Sequence, residues 1–507
     1  MPDEGFQPTT APIHVAQAPS ARRTLVLAAC LMATFMAAVE SSIIATAMPT
    51  IVADLGGFNL FAWVFAVYLL TQAVSIPVYG RLADIYGRKK VFYFGAGLFL
   101  VGSTLCGFAG SMAALIVYRA LQGFGAGGVQ PIATTILGDI YTPTERAHIQ
   151  GLVSSVFGVA AVLGPLLGAF LVEQVSWQLV FWVNLPIGIA AIAMIATFLT
   201  EPAEHRPRRI DYLGSLLFMA AMTVLMLLLV QGGSLPTTTM AIIGGLGVVI
   251  LVALAVQEST TPEPMLPLEL WRQHRIIAVG SFGGAVISAV MTGISAFLPT
   301  YVQGAMGRSA LTGGLVLGAM SVTWAIASFY GGRLMVRTTY RLTAVLGTLA
   351  LIAGSAVLIT LTPERGVAWA SFGSLLIGIG MGLCNTTFIV SIQAAVPWHQ
   401  RGAATSSCMF LRFVGQSLGA ASFGAVLNIT MLHVAPDAVP MVDSLLDPAQ
   451  RSRLAAAELA RLTDVVALAL HNTYLLAGAL SVAALVFALL LPPRLSPTRP
   501  GSPLARG

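Results

Sequence analysis

Long apolar runs follow one another along most of the chain, separated by short polar or charged stretches. Crossing a bilayer takes about 20 mostly apolar residues. On that measure fourteen runs qualify, at approximately 24–48, 60–80, 91–110, 112–134, 149–172, 177–199, 212–231, 239–257, 276–300, 310–331, 342–361, 367–391, 402–428 and 470–491. Backbone groups inside lipid must bond within their own segment, so each run is predicted as a helix. The fold class is therefore an all-α polytopic membrane protein with 14 transmembrane helices.

Two features break the rhythm. Spans seven and eight form a hairpin around the short uncharged turn "QGGSLPTTT", flanked by the charged linkers "EPAEHRPRRID" and "ESTTPEPMLPLELWRQHR". The organisation this gives is a cytoplasmic tail at 1–23, expected to be disordered, and a six-helix bundle at 24–200. An inserted hairpin with its linkers at 201–275 precedes a second six-helix bundle at 276–491, and a cytoplasmic tail fills 492–507. The second feature is a long outer segment at 429–469. Its end, "DPAQRSRLAAAELARLTDVVALAL", reads as helical, either extending span fourteen outward or lying on the outer leaflet.

Composition removes the soluble alternatives. Hydrophobic residues make up 57% and charged residues 9%, against about 45–50% and 25% in soluble domains. The net charge of +6 reports topology here, not nucleic acid. Arg22, Arg23, Arg81, Arg88, Lys89, Lys90, Arg146, Arg206, Arg208, Arg209, Arg272, Arg275, Arg333, Arg337, Arg341 and Arg401 fall on one side, with the basic tail. The other side holds Arg308, Arg365, Arg451, Arg453 and Arg461. The bias places both termini in the cytoplasm, as expected for a multi-pass protein of a bacterial inner membrane. The apolar run after Arg23 is too long for a cleavable signal. Cys30, Cys106, Cys384 and Cys408 all sit in apolar runs without CxxC spacing, and read as small buried residues.

Glu40 is the one acidic residue deep within a span. A charge at mid-membrane costs about 2.5–3.5 kcal/mol on insertion scales, so it normally faces a cavity or a partner. The deep basic residues are Arg119, in "LIVYRALQGFGAGG", and Arg412, in "MFLRFVGQSLGA". Counted from the outer ends of spans one and four at 1.5 Å per residue, Glu40 and Arg119 both lie roughly 12–14 Å deep. They are expected to meet, as a structural ion pair, as a proton site, or as both. Desolvation favours the neutral carboxyl and a guanidinium favours the ionised one, so a shift in that balance would load or release a proton. Arg412 has no acidic residue at its depth and either lines a cavity or donates to backbone carbonyls. Asn385, Thr386 and Thr387 supply cavity polar groups or interhelical hydrogen bonds. Phe61, Trp63 and Phe65, opening span two, read as membrane-interface anchors.

Enzyme chemistry has no foothold. The histidines (His14, His148, His205, His274, His399, His433 and His471) fall in loops or at span ends, and HExxH, GxSxG and GxxxxGK[ST] patterns are absent. No cofactor or metal is implied.

Several motifs carry a family resemblance across both halves. "GRLADIYGRKK", from Gly80 to Lys90, resembles the signature cytoplasmic loop of the major facilitator superfamily, with Gly80, Arg81, Asp84, Gly87, Arg88 and Lys89 at its marked positions. "YRALQGFGAGG" is similar to the superfamily's span-four arginine pattern. "GLVSSVFGVAAVLGPLLGA" resembles its antiporter signature through Gly151, Gly164, Pro165 and Gly168, with Ala160 and Ala169 where glycines are usual. "SWQLVFWVNLPIG" and "VESSIIATAMPTI" resemble elements of the fourteen-span drug:proton antiporters of the EmrB/QacA type, Glu40 standing for the usual Asp. In the second half "YGGRLMVRTTYR" is a decayed copy of the first-half loop without its Asp, and "IQAAVPWHQRGAATSSCMFLRFVGQSLGA" resembles a late segment of these exporters.

The resemblance implies two helical bundles with a site between them near the midplane, and proton-driven export of amphipathic or cationic small molecules. It gives Arg119 a role in proton transfer, Glu40 one in proton coupling or cation binding, and the Gly80–Lys90 loop that of a gate latch. Protons are the coupling ion, each supplying about 2.3 kcal/mol per 100 mV when moving inward. Export of a native lipid or fatty-acid-like amphiphile is the alternative, and a non-transporting sensor or scaffold the reading of another class. The expected partners are small amphiphiles and the bilayer, not nucleic acid. A monomer is expected, and the sequence specifies no accessory periplasmic protein.

Overall fold

The computed structural model describes residues 20–141, 143–200, 211–232, 235–261, 268–396, 401–446 and 448–492. Most of the two tails and of the linkers around the hairpin lie outside these residues. The first helix, α1 (Ser20–Leu55), already contains Arg22 and Arg23, so the expected tail ends earlier than residue 23.

Helices follow at α2 (Phe61–Tyr86), α3 (Arg88–Gly107), α4 (Met112–Ile140), α5 (Pro143–Gln174), α6 (Leu179–Trp182) and α7 (Asn184–Phe198). The hairpin is α8 (Tyr212–Gln231) and α9 (Thr237–Thr260), followed by the short α10 (Leu268–Gln273). Then come α11 (Arg275–Thr300), α12 (Ala310–Arg337), α13 (Tyr340–Ile359), α14 (Gly366–Ala395) and α15 (Arg401–Val434). Two short helices, α16 (Val442–Leu446) and α17 (Pro448–Arg451), lead to α18 (Ala456–Leu490). We call the end where α1 begins proximal and the end where it finishes distal.

Among the described residues thirteen helices are long and apolar enough to cross a membrane, α6 and α7 together making one. The remaining predicted span, α4, has the length, at 29 residues, but Arg119, Gln122 and its glycines dilute its apolar content. Those glycines serve packing. A Cβ at Gly123 or Gly127 would collide with α2, at Thr71 and Ser75, and one at Gly125 with the backbone of Phe99 on α3. Small residues allow α4 the close approach that helix association in lipid depends on.

Helices α1 to α7 pack mainly on one another, as do α11 to α18, and α2 with α15, α5 with α12 and α1 with α11 join the groups. The hairpin meets them through α8, which contacts both α2 and α15. Its Phe218 packs on Phe410, ring centroids 5.2 Å apart. In α9 only 11% of the apolar window is buried, against 83% for α2; α9 is apolar on all faces, as a lipid-facing helix is.

At the distal end the groups are sealed together. Phe61 of α2 meets Phe297 of α11 at 5.0 Å between centroids, and Phe297 stacks on Phe423 of α15. Phe61, Trp63 and Phe65 are buried, which corrects the interface-anchor reading: none is exposed to meet lipid headgroups, and the Phe61 ring packs on the partner bundle. The Ser417 hydroxyl donates to the Ala66 carbonyl at 2.6 Å, and the Gln303 amide to Thr46 O at 3.3 Å. The segment 429–469 finishes the seal. α18 is one continuous helix of 35 residues, so span fourteen extends toward the distal end, and His471 lies inside it instead of at its end. The Asp443 carboxylate of α16 accepts from the backbone amides of Gly57 and Phe58, both at 3.1 Å. Arg451 Nη1 donates to Gly304 O at 2.5 Å.

Candidate functional site

Glu40 lies mid-way along α1, with a relative exposure of 0%. A carboxylate stripped of water has to find donors, and the neighbouring helices supply them. Arg119 Nη1 of α4 pairs with Glu40 Oε1. Asn184 Nδ2, in the first turn of α7, donates to Glu40 Oε2 at 2.6 Å. The depth count from sequence thus brings the right pair together.

The guanidinium is held on several sides. Nη1 also donates to Gln122 Oε1 at 2.7 Å, and Nε to Val64 O at 3.3 Å. The Cζ sits 3.9 Å from the centroid of the Tyr68 ring, a cation–π contact worth about 2 kcal/mol or more when desolvated. Ser103 of α3 ties the outer members together. Its hydroxyl accepts from Gln122 Nε2 and from Asn184 Nδ2, each at 3.1 Å, and donates to Phe181 O at 2.7 Å. Its one donor and two acceptor positions are all used. Asn184 Oδ1 is the one buried atom of the cluster without a hydrogen-bond partner.

Asn184, Gln122, Ser103 and Tyr68 were not singled out from the sequence. Gln122 had a visible signal, one helical turn beyond Arg119. Asn184 stands in the quoted "WVNLPIG", but only the break between α6 and α7 aims it at α1. Nothing in the local sequence around Ser103 or Tyr68 distinguishes them.

The antiporter-signature residues meet the same stretch of α1. A Cβ on Gly164 would fall 2.0 Å from Ser42 Oγ, and one on Gly168 2.8 Å from Ile43 O. On its other side α5 touches the second group, where a Cβ on Gly314 of α12 would meet Pro165 O at 2.8 Å. Gly151 belongs to α5, and its surroundings lie outside the described residues. The motif therefore couples Glu40's helix to the other bundle through backbone-close contacts.

The loop residues sit apart, at the proximal end. Gly80, Arg81 and Asp84 close α2, and Gly87, at φ 90°, turns the chain into α3; only glycine takes that backbone readily. Arg88 pairs with Asp139 at the end of α4. Lys89 Nζ donates to Ala196 O and Leu199 O at 2.7 and 2.8 Å, capping the C-terminus of α7, where a cation is favoured.

Arg412 and Asn385 belong to the second group and do not join the Glu40 cluster. Arg412 Nη1 lies 3.5 Å from Met409 Sδ, and its buried Nε has no partner. Asn385 is half-buried in α14 and makes no side-chain hydrogen bond among the described residues. Neighbouring Thr387 donates only to Leu383 O in its own helix.

Two groups of membrane helices meet across an interface, and one of them holds a sealed polar pair. The sequence comparisons make this specific. The model of the Major Facilitator Superfamily matches residues 30–420, and the chain belongs to that family. It is 34% identical over 439 residues to the multidrug transporter protein MdtP of Bacillus subtilis, covering 86% of this chain and 81% of that one. It is 33% identical to multidrug resistance protein 3 of the same organism, covering 88% and 91%. Among solved structures it resembles a bacterial homologue of the human lysosomal transporter Spinster in an inward-facing, unoccupied conformation. The TM-score is 0.67 at 16% identity, over 94% of this chain and 98% of that one, a likeness of fold.

Proposed function

We propose that this protein is a proton-driven exporter of amphipathic small molecules, working by alternating access in a bacterial inner membrane with both termini cytoplasmic. The observation that carries the reading is the Glu40–Arg119 pair, sealed from water and held by Asn184 and Gln122. When Glu40 takes a proton the pair loses its charge attraction. Arg119 then keeps neutral acceptors in Gln122 Oε1 and Val64 O, and the Tyr68 ring below it. Both protonation states therefore have a satisfied guanidinium, which is what a site that cycles needs.

The change reaches the interface because Glu40's helix packs on α5 and on α11 of the second bundle. A small shift of α1 moves the Gly164 and Gly168 contacts directly. In the state described, the aromatic and cap contacts close the distal end, taken as the outside because the basic loops lie at the other. The names of the Bacillus relatives favour efflux of drugs, and the antiporter-like α5 favours exchange over uptake. Glu40 is fully engaged by protein partners, so its role in this reading is proton coupling, not contact with a cationic substrate.

The test uses purified protein in liposomes, comparing wild type with Glu40→Gln. Dye movement and internal pH are followed as a pH gradient is imposed. Wild type should couple the two, while the variant should bind dye and lose at least tenfold of its gradient-driven transport. Undiminished coupling in Glu40→Gln would remove Glu40 from the proton path.

A further inference from the structure

The interior of the second bundle carries a positive charge that no carboxylate answers. Glu40 and Arg119 cancel, which leaves Arg412 as the deep charge without an acidic partner among the described residues. Its direction follows from α15, in which successive residues turn by about 100°. Cβ atoms on Gly415 and Gly419 would strike Ala285 and Ala289 of α11. Some 180° away, Phe410 and Ser417 meet α8 and α2, and Gly424 meets Ala62 of α2. The sector between α11 and α2 holds Arg412, Gln416, Met409 and Phe413, and Phe413 packs against the core of the first bundle. This sector faces the space between the bundles.

Two neutral donors share that space. Gln416 is buried one turn beyond Arg412, and its amide makes no hydrogen bond among the described residues. Asn385 lies on α14 between Gly378 and Gly382, which pack on α12, and Phe388 and Ile392, which pack on Gly280 of α11. Asn385 is one turn toward the distal end from Phe388, which brings it level with Gly284, where a Cβ would meet the Arg412 stem at 3.4 Å. A guanidinium whose one side-chain partner is the Met409 thioether, with a buried Nε left over, and two amides within about one helical turn of it, contrast with the cluster around Glu40, where nearly every polar atom is used.

We propose that Arg412, Gln416 and Asn385 form the head-group subsite of the transport path, and that the substrate is an amphiphile with a single anionic head, a carboxylate above all. Guanidinium binds carboxylate through paired, charge-assisted hydrogen bonds, and the amides supply further donors. Met409 and Phe413 offer apolar, adaptable walls to the tail. A cationic amphiphile would meet a net positive interior. The proposal rests on the exporter reading for the direction of movement, not for binding.

The test is equilibrium dialysis of the full chain in lipid nanodiscs, with empty nanodiscs as background. The probes are octanoate, octanol and octyltrimethylammonium, which share a chain and differ in the head. Wild type should bind octanoate at least tenfold more tightly than the cation. Arg412→Gln should erase that preference, and Arg412→Lys should restore part of it. Unfolding temperature and octanol binding, unchanged in Arg412→Gln, show that the variant is folded. Comparing octanoate with 4-propylbenzoate separates a fatty-acid source from an aromatic one, and a preference for either anion supports the site. Equal or tighter binding of the cation by wild type, or unchanged octanoate binding in Arg412→Gln, overturns it. If octanoate binds as expected but no gradient drives its movement in liposomes, the exporter reading fails while the subsite stands.

Discussion

The two bundles treat a deep arginine, buried in one and half-buried in the other, in opposite ways. In the first, Arg119 is gripped by a carboxylate, an amide oxygen, a main-chain carbonyl and an aromatic face. In the second, Arg412 meets a thioether and leaves a buried N–H unanswered. A buried charge with partners holds structure or stores a proton, whereas one without them waits for something from outside. In the proposed reading this asymmetry is a division of labour, with coupling in one bundle and recognition in the other.

The comparison can be broken most directly by making the same substitution in both places. Arg119→Met strands the Glu40 carboxylate, and removing one partner of a buried pair typically costs about 3–5 kcal/mol. Chemical denaturation in detergent should show that loss, and Glu40→Gln combined with Arg119→Met should recover much of it. Arg412→Met strands nothing. A mid-membrane arginine costs about 2.5–3.5 kcal/mol, so this variant should be as stable as wild type or more so. Equal losses at both sites would end the distinction.

A gentler version uses the asparagines. Asn184→Ala removes a hydrogen bond to a buried carboxylate, a contact worth about 1.5–3 kcal/mol. Asn385→Ala removes no hydrogen bond described within the protein, so its stability should change by less than about 0.5 kcal/mol. Thermal melts of the two variants side by side would sharpen the contrast.

The smallest effect concerns the distal cap joining the bundles. Burial raises the Asp443 carboxyl above its usual range, and the bonds from Gly57 and Phe58 only partly offset this. An opened cap would return the group to its ordinary value. The closed cap therefore holds a proton more readily than the open one. Its closed form should gain slightly below the ordinary carboxylate value and lose that gain as pH rises through the raised one. Fluorescent labels on α16 and near Gly57 would report closure, and Asp443→Asn should flatten the dependence.

Much of the architecture was legible because the bilayer is a demanding solvent. It forces long apolar helices and leaves charges only where they have a reason to be. The depth count for Glu40 and Arg119 worked because rise per residue is nearly constant along a helix. The interface-anchor rule failed for the aromatics of α2, since an aromatic at a span end looks the same whether it meets lipid headgroups or another helix. Ser103, Gln122, Tyr68 and Asn184 went unrecognised because polar residues in spans serve many ends, and only geometry says which.

The sequence by itself determined that the chain crosses a membrane repeatedly, which helices carry its deep charges, and which motifs mark its family. Hydropathy, helical rise and residue spacing are local properties, readable one segment at a time. Tertiary structure alone decided that Asn184 completes the Glu40 site, that Phe61 seals one bundle against the other, and that Arg412 goes unanswered. These depend on how helices are rotated about their own axes, and that angle is set by close packing against neighbours distant in the chain.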